Sequence, residues 1–142
     1  MQCHIMKTVR CNIILLNVYA SSEEKSNDSK DSFYEELEQV FDHFPKYDMK
    51  ILLGDFNASL EREDIFKQAV GNESLHQDSD DNGVRIVIFT TSNNLVVKST
   101  MFLHCNIYKY TWTAPDWKTY NHAPDWKTYN QIDHILIGRR WQ

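Results

Sequence analysis

Ile51–Ser59 reads ILLGDFNAS. With the two residues before it, Met49–Leu53 (MKILL) has the apolar character of a buried strand, and Gly54 breaks it. Beyond the glycine, Asp55 and Asn57 are two apart, so both can face one side while Phe56 turns the other way into a core. An acid and an amide at a sheet rim have different chemical uses. A carboxylate can hold or orient a water near a metal ion. An amide can donate to a phosphate oxygen without adding negative charge. A bare Asp-x-Asn is more often just a polar turn after a core strand, so its meaning depends on the surrounding chain.

Upstream, Cys11–Tyr19 (CNIILLNVY) is a continuous apolar run that reads as a second strand covered on both faces. Ser21–Asp31 is polar and loop-like. The periodicity predicts a helix over Ser32–Phe44, with Phe33, Leu37, Val40, Phe41 and Phe44 on one face. Ser32 and Glu35 fit a capping box, and Pro45 ends the helix. Downstream, Glu61–Val70 has room for a short helix. Asn82–Leu95 is ambiguous: VRIVIFTT favours a strand by propensity, while Val84, Val87, Ile88, Thr91 and Leu95 share a helical face. Leu95–Thr100, Ile107–Thr113 and Gln131–Ile137 read as three more strands. Strands separated by helices indicate an α/β (α+β) protein.

The 142 residues make one domain at most, long enough to bury a core. Fifteen basic and twenty acidic residues give a net charge of −5, which is not the basic footprint of most nucleic-acid binders. The objection is modest, because a metal-dependent nuclease needs carboxylates. Cys3, Cys11 and Cys105 are an odd, unclustered set with no CxxC pair, which argues against zinc and against a disulfide partner. The first residues, MQCHIMKTVR, lack the apolar core of a signal peptide, and Ile13–Leu16 is too short to span a bilayer. These features predict an intracellular protein, nuclear or cytoplasmic, neither secreted nor membrane-embedded.

Four stretches follow in order: NVYA (Asn17–Ala20), LLGDFNA (Leu52–Ala58), NGVR (Asn82–Arg85) and NQIDHILI (Asn130–Ile137). Together they resemble the endonuclease/exonuclease/phosphatase superfamily. Within it the chain is similar to the endonuclease domains of non-LTR retrotransposons and to craniofacial development protein 2-like proteins, over nearly its whole length. The resemblance implies a two-sheet β-sandwich flanked by helices, phosphodiester cleavage or phosphate release with Mg²⁺ and an activated water, and DNA as partner. Residue by residue, it implies that Tyr19 lies near the scissile phosphate and that Asp55 orients the attacking water, with a weak part in an incomplete metal site. Asn57 then binds phosphate, and Trp112 packs in the sheet.

Asp133-His134 invites a dyad reading, but adjacent strand residues point to opposite faces. The resemblance makes Asp133 the residue that orients a histidine from a later S/T-D-H motif, and it leaves His134 structural. It also implies an upstream Asn and a metal-binding Glu on earlier strands. The sequence here opens at the strand leading to NVYA and stops at Arg139-Arg140-Trp141-Gln142, without the S/T-D-H motif. Glu23 and Glu24 sit in a polar loop and do not replace that Glu. The expectation is therefore a single incomplete domain over residues 1–142, a partial two-sheet sandwich with its N- and C-terminal strands missing. Without the metal carboxylate and the histidine, such a fragment is expected to be weak or inactive as an endonuclease. The rival readings are a non-catalytic remnant or interaction module, and a phosphatase or deadenylase branch of the same superfamily.

One feature is a tandem duplication. APDWKTYN occurs at Ala114–Asn121 and again at Ala123–Asn130. Two short copies do not make a solenoid, and neither contains Asp133. The duplication reads as an insertion in a hairpin loop over residues 113–130. Lengthening such a loop from about four to about thirteen residues costs only ~1 kcal/mol of closure entropy. The expectation is that Asp133 stays on its strand and the extra copy loops outward. Trp117 and Trp126 could stack on a base but read first as exposed loop aromatics. His4, His43, His76, His104 and His122 show no ligand spacing, and Asp78–Asp81 (DSDD) reads as a solvated loop leading into a helix at Asn82.

Overall fold

The structure is a computed structural model that describes residues 2–8, 10–22, 24–60, 70–71, 79–101, 112–113 and 129–141, without the side chains of 112–113 and 129–130. The chain begins with β1 (Gln2–Lys7), β2 (Asn12–Tyr19), α1 (Asn27–His43) and β3 (Met49–Asp55). It continues through α2 (Asp81–Ser92), β4 (Leu95–Val97), a 3₁₀ turn at Lys98–Thr100, β5 (Trp112–Thr113), β6 (Tyr129–Asn130) and β7 (Asp133–Gly138). A final 3₁₀ turn covers Arg139–Trp141.

Five strands form one mixed sheet in the order β1-β2-β3-β7-β4. β2 and β3 are parallel and joined through α1; the other three pairings are antiparallel. The expected two-sheet sandwich is corrected among the described residues to this single sheet flanked by two helices, beside a two-stranded β5–β6 ribbon. The reason lies in the main chain of β3. Its edge opposite β2 needs partners for its N–H and C=O groups, and β7 supplies them from Ile51↔Ile137 to Asp55↔Asp133.

One face of the sheet is covered. Ile14, Leu16 and Val18 of β2, Leu52 of β3 and Leu136 of β7 are at most 3% exposed. They belong to one core with Leu37 and Phe41 of α1 and Ile86, Val87 and Phe89 of α2. Phe41 and Phe89 meet edge-on, with ring centroids 5.7 Å apart. The intervening residues of the strands, among them Tyr19, Asp55 and Asp133, face the other side of the sheet.

Several expectations are corrected. A strand, β1, precedes the NVYA strand and pairs antiparallel with it from Gln2↔Asn17 to Lys7↔Asn12. All six of its residues are exposed, so no apolar pattern announces it; its main-chain bonds to β2 hold it. α1 starts at Asn27, five residues before the proposed cap; the buried residue of its first turn is Lys30, so no apolar stripe marks the start. The ambiguous segment is helix, and its inward face is Gly83, Ile86, Val87 and Thr90 rather than the face of Val84, Ile88 and Thr91, which are exposed. The inward set keeps helical spacing, but glycine and threonine hide it from a search for large apolar residues. The strand expected over Leu95–Thr100 turns into 3₁₀ helix after Val97. The proposed helix at residues 61–69, most of the Ile107–Thr113 strand, His76, His104, His122, Trp117 and Trp126 lie outside the described residues. Trp112↔Asn130 and Thr113↔Tyr129 pair, and the duplicated residues 114–128 between them lie outside the described residues.

Candidate active site

The sheet register brings three of the four singled-out residues into one row. Tyr19 on β2 is the partner of Asp55 on β3, and Asp55 is the partner of Asp133 on β7. Paired residues share a face, so the row of phenol and two carboxylates lies on the face away from the helices, where β2 and β3 end. Tyr19 is 74% exposed, while Asp55 and Asp133 are half-buried.

Gly54 permits the close strand approach just before the row. Its φ is +140°, and a Cβ there would lie 2.0 Å from the Val18 carbonyl oxygen. Past Gly54 the main chain stays pinned. The Ala20 N–H donates to the Asp55 carbonyl at 2.8 Å, and the Phe56 N–H donates to the Ile132 carbonyl at 3.0 Å. The Asn57 N–H donates to Asp55 Oδ1 at 2.8 Å, a local turn that fixes the carboxylate. Asn57 holds a left-handed backbone with φ 47°, and its Nδ2 donates to the Ala20 carbonyl at 3.0 Å, beside Tyr19. That bond leaves its second N–H and its Oδ1 for another partner. Phe56 is fully buried behind them, as its alternation with Asp55 and Asn57 requires.

Burial pushes the Asp55 carboxyl above its ordinary value; the Asn57 N–H opposes that rise, and the neighbouring Asp133 carboxylate adds to it. A carboxylate with one oxygen anchored and raised basicity is suited to orienting a water and accepting its proton.

His134 faces the other side. It is 1% exposed, with Nδ1 3.2 Å from Ser99 Oγ and Nε2 2.8 Å from the Ala58 carbonyl. It therefore ties β7 to the Asp55–Ser59 loop from below. The acid-rich stretch before α2 also differs from the solvated loop expected of it. Asp80 is the N-cap: its side chain accepts from the Gly83 N–H at 2.6 Å and from the Ser59 N–H at 3.0 and 3.1 Å. The sequence signal was present, since an aspartate three residues before a helical glycine is a capping pattern.

The resemblance implied Mg²⁺. Among the described residues, no three His, Cys, Asp or Glu side chains converge as a metal site. Asp55 also spends one oxygen on Asn57. A complete site for a resident ion is therefore not assembled among the described residues.

A cavity of about 350 Å³ lies at the opposite end of the sheet, between the C-terminal ends of both helices. Lys50 there donates to the Pro45 carbonyl at 3.0 Å and sits 4.6 Å from the centre of the Phe41 ring. Burial lowers its pKa, with Asp48 pulling the other way. Lys50, Arg139 and Arg140 line the cavity beside the helix C-termini, whose dipoles favour cations.

No protein-family profile matches the chain. It is 29% identical over 137 residues to craniofacial development protein 2 from Bos taurus, and 28% identical over 137 residues to that from Tragulus javanicus. Those alignments cover 92% of this chain. The fold matches the endonuclease domain of TRAS1, a telomere-specific non-LTR retrotransposon, with a TM-score of 0.59 and 12% identity over 96% of this chain. The chain is thus similar in sequence to the craniofacial development proteins and shares its fold with a retrotransposon endonuclease domain. It spans about a fifth of the length of the curated relatives it matches, and 49% of the TRAS1 domain. No described helix is long and apolar enough to cross a membrane.

Proposed function

We propose that the chain carries the phosphate-handling side of a DNA endonuclease domain of retrotransposon type. The observation behind this reading is the row Tyr19–Asp55–Asp133, with Asn57 anchored beside it. The four side chains come from three strands and one loop, and separate turns would not align them. In this reading Asp55 orients the attacking water, Asn57 and Tyr19 hold phosphate oxygens, and Asp133 supports an imidazole partner. The TRAS1 domain, named as an endonuclease, supports the substrate class through the shared fold. The superfamily expectation of Mg²⁺ belongs to the same proposal.

A second reading has its own support. With no three-donor cluster among the described residues, the chain by itself would hold a DNA backbone without cutting it at speed. One experiment separates the two. The purified chain is incubated with supercoiled plasmid and Mg²⁺, beside Asp55→Ala and an EDTA control. Nicking lost in both controls supports the endonuclease. Duplex binding that weakens in Asn57→Ala, without nicking, supports a binding module. A folded chain that does neither overturns both.

A further inference from the structure

Asn82 lies outside the row, on the first turn of α2, and is 1% exposed. Its Nδ2 donates to two carbonyls: Ser21 at 3.0 Å and Asn57 at 2.9 Å. Ser21 follows Tyr19 at the end of β2, and Asn57 follows Asp55 at the end of β3. One amide group therefore bridges the two segments that carry the site, using both of its N–H donors.

The surroundings fix that bridge in place. Asp80 binds the Ser59 N–H, and the Asp80 N–H donates back to the Ser59 carbonyl at 3.3 Å. Gly83 lets the helix close on the loop, since a Cβ there would lie 2.0 Å from the Ser59 carbonyl oxygen. An apolar side chain at position 82 would fill the space but take this donor from both carbonyls. What the amide adds is a fixed separation between two carbonyls.

We propose that Asn82 is a positioning residue: it sets the spacing between the Tyr19 and Asn57 segments, and hence the geometry with which they receive a phosphodiester. This rests on the phosphodiester reading above. Asn82 touches no reacting atom and acts through the main chain of Ser21 and Asn57.

The test compares Asn82→Asp, which keeps the shape and removes both donors, and Asn82→Ala with Asn93→Ala. The last removes a tie at the other end of α2, where Nδ2 meets Glu38 Oε1 and the Phe89 carbonyl, each at 3.0 Å. Amide hydrogen exchange is read over residues 19–22 and 55–59, with plasmid nicking and duplex binding alongside. The Asn82 variants are expected to lose protection in both segments together. Their kcat is expected to fall on the order of 10²-fold, with KM changed little, because misplacement by an ångström acts on the transition state. Asn93→Ala should alter neither.

A folded Asn82 variant with wild-type exchange in both segments, or with wild-type kcat, overturns the proposal. Should both variants fail to fold, the wild-type chain decides. Its Asn82 side-chain amide protons should be protected and should exchange more slowly still with saturating duplex DNA; exchange that DNA leaves unchanged overturns the proposal. A wild-type chain that neither binds nor nicks DNA overturns the phosphodiester reading instead, and the segment exchange of the variants still decides whether Asn82 sets the spacing.

Discussion

Asp55 and Asp133 stand directly opposite each other across the antiparallel β3–β7 pair. Like charges in that position oppose folding, and burial adds to the cost at Asp55. Its folded pKa lies above the ordinary 3.8, so the ionised group costs stability once the pH exceeds the folded pKa. Below 3.8 the group is protonated in both states and the cost disappears. Asp55→Asn is therefore expected to raise stability at pH ~7 by roughly 0.5–1 kcal/mol. Asn at this position can still accept from the Asn57 N–H. Thermal melts at neutral and acid pH check this: the gain should vanish in acid, and any nicking should be lost throughout.

Asn57 combines a left-handed backbone with an anchoring side chain. Asn57→Ala loses the bond to Ala20 and keeps a Cβ in a left-handed region that Asn tolerates better than Ala, where an ordinary residue pays about 1–2 kcal/mol. Asn57→Gly loses the same bond but has no Cβ to strain at this φ. Urea unfolding should rank wild type above Asn57→Gly and Asn57→Gly above Asn57→Ala.

Replacing a helical glycine by alanine ordinarily stabilises by about 1 kcal/mol. At Gly83 the sign is expected to reverse, because the new Cβ would lie 2.0 Å from the Ser59 carbonyl oxygen. Gly83→Ala should lower stability by at least about 2 kcal/mol, read from the urea midpoint. An unchanged or higher midpoint would show that α2 can move off the loop at no cost.

Lys30 and Arg85 both reach Asp81 at 3.0 Å, and Arg85 also pairs with Asp31, which links α1 to α2. The hydrogen bond from Lys30, followed by that from Arg85, lowers the Asp81 pKa. The stability this confers is present above 3.8 and is lost as pH falls through the lowered value. Asp81 is 44% exposed, so solvent screening keeps the effect at or below about 1 kcal/mol. Asp81→Asn should destabilise at neutral pH, less in about 1 M salt, and not at all in strong acid.

The parts of this fold that sequence reveals are those where one strand or one helix face carries its own pattern. ILLGDFNAS predicts a strand and an inward Phe56, and both are found, but the strand runs through Gly54 to Asp55 instead of breaking at the glycine. Leu37 and Phe41 likewise mark the inward face of α1. β1 is hidden because nothing buries it: its partner is the main chain of β2, which carries no side-chain signature. The α2 face is hidden because close approach at Gly83 and a buried Thr90, whose hydroxyl donates to the Ile86 carbonyl at 2.6 Å, replace large apolar residues. The site residues could be named individually, but not their common row. Register across three strands is a long-range property that no local spacing contains. Asn82 could be singled out as part of NGVR, but its two carbonyl partners, 61 and 25 residues away, could not.

The outward-facing side chains proposed to handle phosphate and those that hold the frame are different residues. The Tyr19 side chain is exposed and the Asp55 carboxylate opposes folding, whereas Asp80, Asn82, Gly83 and His134 clamp the loop from beneath. Mutation and selection can therefore act on the two sets separately. A lineage released from the need to cut would change first at positions 19 and 55, while a lineage losing the fold would change first at 80, 82, 83 and 134. Which positions drift first among descendants of such a chain would record whether a lineage gave up its chemistry or its shape.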